Sequence, residues 1–156
     1  VKINIIKLGK PAFDEYETLV NVYHKRIAPQ LSVQNIILKC NDEKEALVRL
    51  EKQLATSGGR LAAGSMLILL DERGEQWDSV AFAGELRSWK DDPRIKVIDV
   101  VIGAPYGIPP ALKQYATKTW ALSRLVFTSD LAWLLVWEQL YRALSILNNT
   151  RYHHGD

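Results

Sequence analysis

The stretch Ile95–Gly107, IKVIDVVIGAPYG, constrains this chain more than any other. Ile95, Val97, Ile98, Val100, Val101 and Ile102 form a β-branched run broken only by Lys96 and Asp99. Such side chains lose χ1 freedom in a helix and fit a pleated surface. A run apolar on both faces describes a strand covered on both sides, as in a parallel sheet. It stops abruptly at Gly103, Ala104, Pro105, Tyr106 and Gly107, and Pro109–Pro110 then open a helix. Open α/β sheets bind ligands just outside the carboxyl ends of their strands. The first expectation is therefore a ligand loop in the middle of a sheet.

The rest of the chain alternates around this strand. Val1–Leu8 reads as a first strand, with Val1, Ile3 and Ile5 on one face, ended by Gly9–Lys10–Pro11. Phe13, Tyr16, Leu19, Val20 and Tyr23 follow at helical spacing, with Pro11 in the first turn and His24–Arg26 closing the helix. Ser32–Cys40 is a second strand. Asp42 caps a helix running through Ala46, Leu47, Leu50 and Leu54 to Gly58–Gly59. Ser65–Leu70 is a third strand, and Asp78 or Ser79 caps a helix ending near Trp89. After the opening strand come a helix at 109–118, a fifth strand Ala121–Phe127, a long helix Asp130–Asn148 and a polar tail. The alternation predicts an α/β fold: one domain over residues 1–156, a parallel sheet with helices on both faces.

The last helix is unusual. Leu131–Trp137 is apolar on every side, and a helix apolar all round must be covered all round. A symmetric homodimer is the economical cover, and burial within one larger core is the alternative. The same run is too short to span a bilayer, and the alternating VKINIIKLGK lacks the apolar block of a signal peptide. Cys40 is the only cysteine, so nothing points to an oxidising compartment. These features predict a cytoplasmic location without membrane association. The formal net charge of +2 excludes no partner, because local clustering governs phosphate binding.

Few motifs carry chemistry unaided. Gly103 and Gly107 match neither a dinucleotide fingerprint nor a P-loop. Loops at Leu70–Asp71, Gly103–Ala104 and Leu122–Phe127 all follow strands, however. Together they make a pocket rich in backbone groups, suited to a nucleoside-containing ligand. Asp71 is placed to accept from a hydroxyl, or is simply an exposed turn residue. Glu138 and Arg142, four apart, read as a helical ion pair or as an arginine aimed at phosphate or a nucleobase. Tyr152, His153 and His154 lie in the terminal tail, where adjacent histidines alone make no metal site. No metal is expected.

Taken together, these segments resemble a family, the bacterial ribosomal RNA large subunit methyltransferase H family of the SPOUT superfamily. The resemblance rests on Tyr23–Arg26, Leu70–Gly74, Phe82–Ala83, Val101–Gly107, Leu122–Ser123, Glu138–Ala143 and Tyr152–His153, and covers essentially the whole chain. It implies a C-terminal trefoil knot over roughly residues 68–156. It implies S-adenosylmethionine held by Leu70, Gly103, Ala104 and the segment Leu122, Ser123, Arg124, Leu125, Val126 and Phe127. It implies a homodimer that methylates N3 of a pseudouridine in large-subunit (23S) ribosomal RNA on the assembled ribosome, with Arg142, Tyr152 and His153 catalytic. By that resemblance Arg142 stabilises the imide anion or positions phosphate, and His153 accepts the proton. The chain departs from the family pattern at Ala104 and Tyr106, where the family has glycine and an acidic residue. It departs again at Ser129 and Trp133, where the family has histidine and arginine. A catalytically impaired homologue that binds donor or RNA is thus the alternative, and a flavodoxin-like signalling domain is a third reading.

Overall fold

The computed structural model describes residues 1–154 apart from 55 and 58, with only the backbone of Ser57. Strand β1 (Lys2–Leu8) is an inner strand of the chain's main sheet. It pairs in parallel with β2 (Ser32–Leu38) on one side, and on the other with the strand of the opening motif, Val97–Ile102. Between β2 and that strand come a two-residue antiparallel ribbon, β3 (Thr56–Ser57) and β4 (Arg60–Leu61), and the long strand β5 (Ser65–Gln76). Val97–Ile102 is β6, and Lys118–Ala121 is β7. The sheet order is β2-β1-β6-β5-β7, every pair parallel. The expected parallel α/β architecture is therefore present.

Four α-helices cover the sheet: α1 (Asp14–Ile27), α2 (Glu43–Gln53), α3 (Ser79–Asp91) and α4 (Ser129–Leu147). Alternation along the strands divides the core between two faces. Ile3, Ile5, Ile98 and Val100 face α1, α3 and α4, whereas Ile6, Leu8, Leu67 and Val101 face α2 and a 3₁₀ turn at Pro110–Tyr115. The caps follow side-chain chemistry. Asp42, Asp78 and Thr128 each accept a hydrogen bond from a backbone N–H three residues on. Asp78, not Ser79, is thus the cap of α3.

Several sequence boundaries move. Pro11 stands outside α1, whose N-cap is Phe13, because the Ala12 N–H is taken by the Asp130 carboxylate at 2.8 Å. Helix α2 ends at Gln53, short of Gly59, and Gly58 lies outside the described residues. The 109–118 helix is a single 3₁₀ segment. The third strand runs six residues past Leu70, through a bulge in which Trp120 faces both Leu70 and Glu75. Gly74 is required there, since a Cβ would come 2.6 Å from the Thr119 carbonyl oxygen. The fifth strand is Lys118–Ala121, and the apolar residues after it form a loop with Leu125 and Val126 70% and 79% exposed.

Helix α4 is largely covered within the chain. Trp133, Val136, Trp137, Leu140 and Ala143 are buried against α1, α3 and the sheet, while Leu131, Leu134 and Leu135 are half-buried. The core alternative thus accounts for most of its apolar surface, and a narrower stripe is left. Among the described residues no helix is long and apolar enough to cross a membrane.

Candidate functional site

The carboxyl ends of β5, β6 and β7 open into one cavity of about 610 Å³. Its walls come from Leu70–Arg73, from Ile102–Ile108 and from the loop after β7. The expected residues Leu70, Gly103, Ala104, Leu122, Ser123, Leu125, Val126 and Phe127 all line it. Arg124 does not: its exposed side chain turns outward, with Nε donating to Gln76 Oε1 at 3.3 Å.

The β6 loop is shaped by close backbone approach. Gly107 N–H donates to the Ala104 carbonyl at 2.7 Å, closing a turn with Pro105 in its second position, where a fixed φ suits a β-turn. Gly107 takes φ +87°, a conformation favouring glycine. At Gly103 a Cβ would sit 3.0 Å from the Gly107 carbonyl carbon, so a side chain there would have to push the returning chain aside by a few tenths of an ångström. Ala104 instead turns its methyl into the core beside Gly9 and is 7% exposed, which explains why this loop tolerates alanine. The Tyr106 hydroxyl lies 2.8 Å from Cys40 Sγ, and burial, then the thiol's hydrogen bond, push its pKa up.

The rim near β5 carries charge. Asp71 accepts from the Arg73 backbone N–H at 2.9 Å and from its guanidinium at 2.9 and 3.0 Å. The Arg73 hydrogen bond, the largest influence, holds the Asp71 carboxyl below its ordinary range despite partial burial. Asp71 is therefore an ionised acceptor at the cavity mouth, and Lys113 lines the wall opposite the β7 loop.

Behind Gly103 and Ser129 of the cavity lining lies a feature that the sequence did not suggest. Lys7, 1% exposed, places Nζ 3.0 Å from Asp130 Oδ1, 3.1 Å from the Gly9 carbonyl and 3.3 Å from Ser129 Oγ. Ser129 in turn donates to the Gly103 carbonyl oxygen. Trp133, fully buried, lies over the ammonium at 5.9 Å and donates its indole N–H to Asn35 Oδ1 at 3.3 Å. Ser129 and Trp133 thus belong to one network built on a lysine from β1. The one signal for it was that Lys7 continues the apolar face of Val1, Ile3 and Ile5.

Arg142, Tyr152 and His153 come together, but elsewhere. A single oxygen, Glu138 Oε1, accepts from Arg142 Nε at 3.0 Å, Arg142 Nη2 at 2.7 Å and the Tyr152 hydroxyl at 3.0 Å. His153 Nδ1 lies 3.1 Å from Arg142 Nη1, and the Tyr152 ring stacks 4.8 Å from the guanidinium. Burial, then hydrogen bonding beside Tyr23 and to Glu138, hold the Tyr152 phenol well above its ordinary pKa, so it remains a donor. Hydrogen bonding to Glu138 likewise raises Arg142. Sequence reading had Glu138 only as an ion-pair partner, whereas it organises the whole cluster. This cluster stands about 15 Å along α4 from Ala132, the last residue of the cavity lining, at 1.5 Å per residue. Among the described residues no group of three or more His, Cys, Asp or Glu side chains is arranged to hold a metal ion.

Comparison with known proteins gives these sites a context. Residues 1–153 match a family described as "Predicted SPOUT methyltransferase". The ribosomal RNA large subunit methyltransferase H of Trichlorobacter lovleyi is 37% identical over 158 aligned positions, covering 99% of this chain and 100% of that protein. The protein of the same name from Flavobacterium johnsoniae is 33% identical, with 99% of each chain covered. Among solved structures, a probable methylase family protein from Haemophilus influenzae Rd KW20 superposes with a TM-score of 0.51 at 11% identity. That match covers 94% of this chain and 66% of the other, and it supports the fold alone. The chain therefore belongs to the SPOUT methyltransferases, in the ribosomal RNA large subunit methyltransferase H family.

Proposed function

We propose that this protein is an S-adenosylmethionine-dependent methyltransferase acting on N3 of a pseudouridine in large-subunit ribosomal RNA. The observation that carries the reading is the convergence of three loops from neighbouring parallel strands on one cavity, in a chain of this family. Its volume lies within the range of small-molecule sites, roughly 300–1,000 Å³. The residues present suit the donor. Leu70, Ile102, Leu122 and Ala132 offer apolar surface to a purine, the 103–107 and 122–128 backbones offer hydrogen bonds, and ionised Asp71 suits a hydroxyl or a cation. Bound there, S-adenosylmethionine supplies a methyl group on a positively charged sulfur.

The protein's own part is alignment and charge. The loop walls fix the angle from which a nucleobase nitrogen approaches. The imide N3–H has to be lost, which a nearby cation favours by stabilising the anion. Arg142 is that cation, held in shape by Glu138, with Tyr152 as a hydrogen-bond donor and His153 as the proton acceptor. Because Arg142 is far along α4 from the cavity of its own chain, the reading requires a homodimer that brings one protomer's Arg142 cluster to its partner's cavity. The half-buried stripe Leu131, Leu134 and Leu135, with exposed Leu125 and Val126 beside the cavity, supplies apolar surface for such an interface. The passage of the chain from β6 to the far side of β5, and its return as α4, is compatible with a trefoil knot within residues 68–156 of the single domain. Action on an assembled ribosome, in the cytoplasm, fits the family and needs no strongly basic protein.

Labelled methyl donor offered with ribosomes lacking the modification tests the reading. Label in the large-subunit RNA at a pseudouridine supports it. Ser129 and Trp133 favour one other reading, a homologue that binds donor without transfer, and donor binding with no label in RNA would establish that instead.

A further inference from the structure

We propose that Lys7 is a positioning residue for the donor cavity: through the Ser129 hydroxyl, its ammonium orients the Gly103 carbonyl and thereby holds the cavity wall. This rests on the reading that the cavity takes S-adenosylmethionine.

The argument begins with the oddity of the residue. Lys7 lies in a central strand between Ile37 and Ile102 and is 1% exposed. An apolar side chain of similar length would fill the space, and replacing a buried ion pair by apolar residues is often neutral or stabilising. The Lys7–Asp130 pair is thus poorly explained by stability. Its placement offers a better account, because it lies directly under the Gly103 end of the cavity wall.

Donor and acceptor counting gives the mechanism. An ammonium has three donors and no acceptor, and a serine hydroxyl has one proton and two lone pairs. Four oxygens lie within reach of Lys7 Nζ; its three protons go to the nearer ones, Asp130, the Gly9 carbonyl and Ser129 Oγ, and the Leu8 carbonyl at 3.5 Å is the farthest. Ser129 Oγ must accept on the Lys7 side, so its single proton is directed to the Gly103 carbonyl. That carbonyl stands just beyond the last residue of β6. An uncharged residue at position 7 would leave the Ser129 hydroxyl free to rotate and the Gly103 peptide free to tilt. Asp130 completes the device by fixing the ammonium and, through Oδ2, the Ala12 N–H. Trp133 closes it from above.

The test uses full-length protein with three variants. Ser129→Ala removes the relay, Ser129→Thr keeps a hydroxyl, and Lys7→Met with Asp130→Asn removes both charges together so that neither is left unpaired. Amide hydrogen exchange over residues 103–107 is measured without ligand, together with melting temperature and calorimetric affinity for S-adenosylhomocysteine. We expect Ser129→Ala and the double variant to melt near the wild type, to exchange about tenfold faster at 103–107, and to bind S-adenosylhomocysteine about tenfold more weakly, the effect of one charge-assisted hydrogen bond. Ser129→Thr should keep the wild-type behaviour. Unchanged exchange at 103–107 in the double variant would overturn the role of Lys7, and unchanged exchange in Ser129→Ala would overturn the relay through Ser129. Failure of the wild type to bind S-adenosylhomocysteine would overturn the reading of the cavity, while the exchange data would still decide whether Lys7 holds its wall.

Discussion

Arg142 and His153 meet nitrogen to nitrogen, with the guanidinium Nη1 3.1 Å from the imidazole Nδ1. Arginine only donates, so Nδ1 is the acceptor and the ring hydrogen of neutral His153 lies on Nε2. The free Nε2 edge is then a donor, so His153 takes the N3 proton only at Nδ1, once Arg142 has turned from it to the substrate. His153→Ala should lower methyl transfer to ribosomes by about 10²-fold or more, the range of general acid–base contributions, without changing the melting temperature. Initial rates check this, and undiminished transfer would mean that the proton leaves by another route.

The separation of the Arg142 cluster from the cavity makes a second prediction. Arg142→Ala and Gly103→Val should each abolish transfer, the first by removing the cation and the second by driving a side chain into the Gly107 backbone. If the site is built from two protomers, mixing the two dead proteins under exchange conditions should restore part of the activity, since each mixed dimer contains one intact site. A mixture as inactive as its components would confine the chemistry to single chains.

Asp130 is the only carboxylate bonded to the buried Lys7 among the described residues. Asp130→Ala leaves an ammonium without its counterion and frees the Ala12 N–H. Breaking one side of a buried pair costs about 3–5 kcal/mol, so urea unfolding should show a loss of that size. The contrast with the charge-free double variant separates the cost of an orphaned charge from the value of the pair.

Asp99 gives a pH dependence whose sign is fixed. It is 1% exposed in β6 and accepts from Asn4 Nδ2 at 2.8 Å. Burial raises its pKa above the ordinary 3.8, only partly offset by the Asn4 bond. A carboxyl with a raised folded-state pKa stabilises the fold below the unfolded value, and that contribution is lost as pH rises through the folded value. Asp99→Asn should therefore be more stable than the wild type at neutral pH, and the advantage should shrink as the pH falls towards 4. Thermal melts across that window decide it, and a constant difference would contradict the assignment.

The parts of the fold that could be read from sequence were those set by local pattern. The β-branched run of β6, the alternation of β1 and the aspartate caps of α2 and α3 each state their conformation within a few residues. What escaped was set by distant partners. Leu122–Phe127 reads as a strand because it is apolar, but its apolar atoms line a cavity and leave Leu125 and Val126 exposed. The strand after Leu70 looked finished because Asp71–Gly74 is polar, but those residues bulge outward while Glu75 and Gln76 rejoin β7. The cavity residues were legible because they follow strand ends. Glu138 was visible only as one half of a helical pair, since the other contacts to its Oε1 come from a tail that folds back.

Lys7 lies in β1, whereas Ser129, which it contacts, is 122 residues further along the chain in α4. During translation β1 has to wait until α4 has been made before its buried ammonium finds its counterion, Asp130. Until then the carboxyl end of β1 carries an unneutralised charge that resists closure. Contacts of this span slow folding, because a long loop has to close before any of them forms. The ion pair thus acts as a completion check, and chains truncated before α4 should be held open at β1.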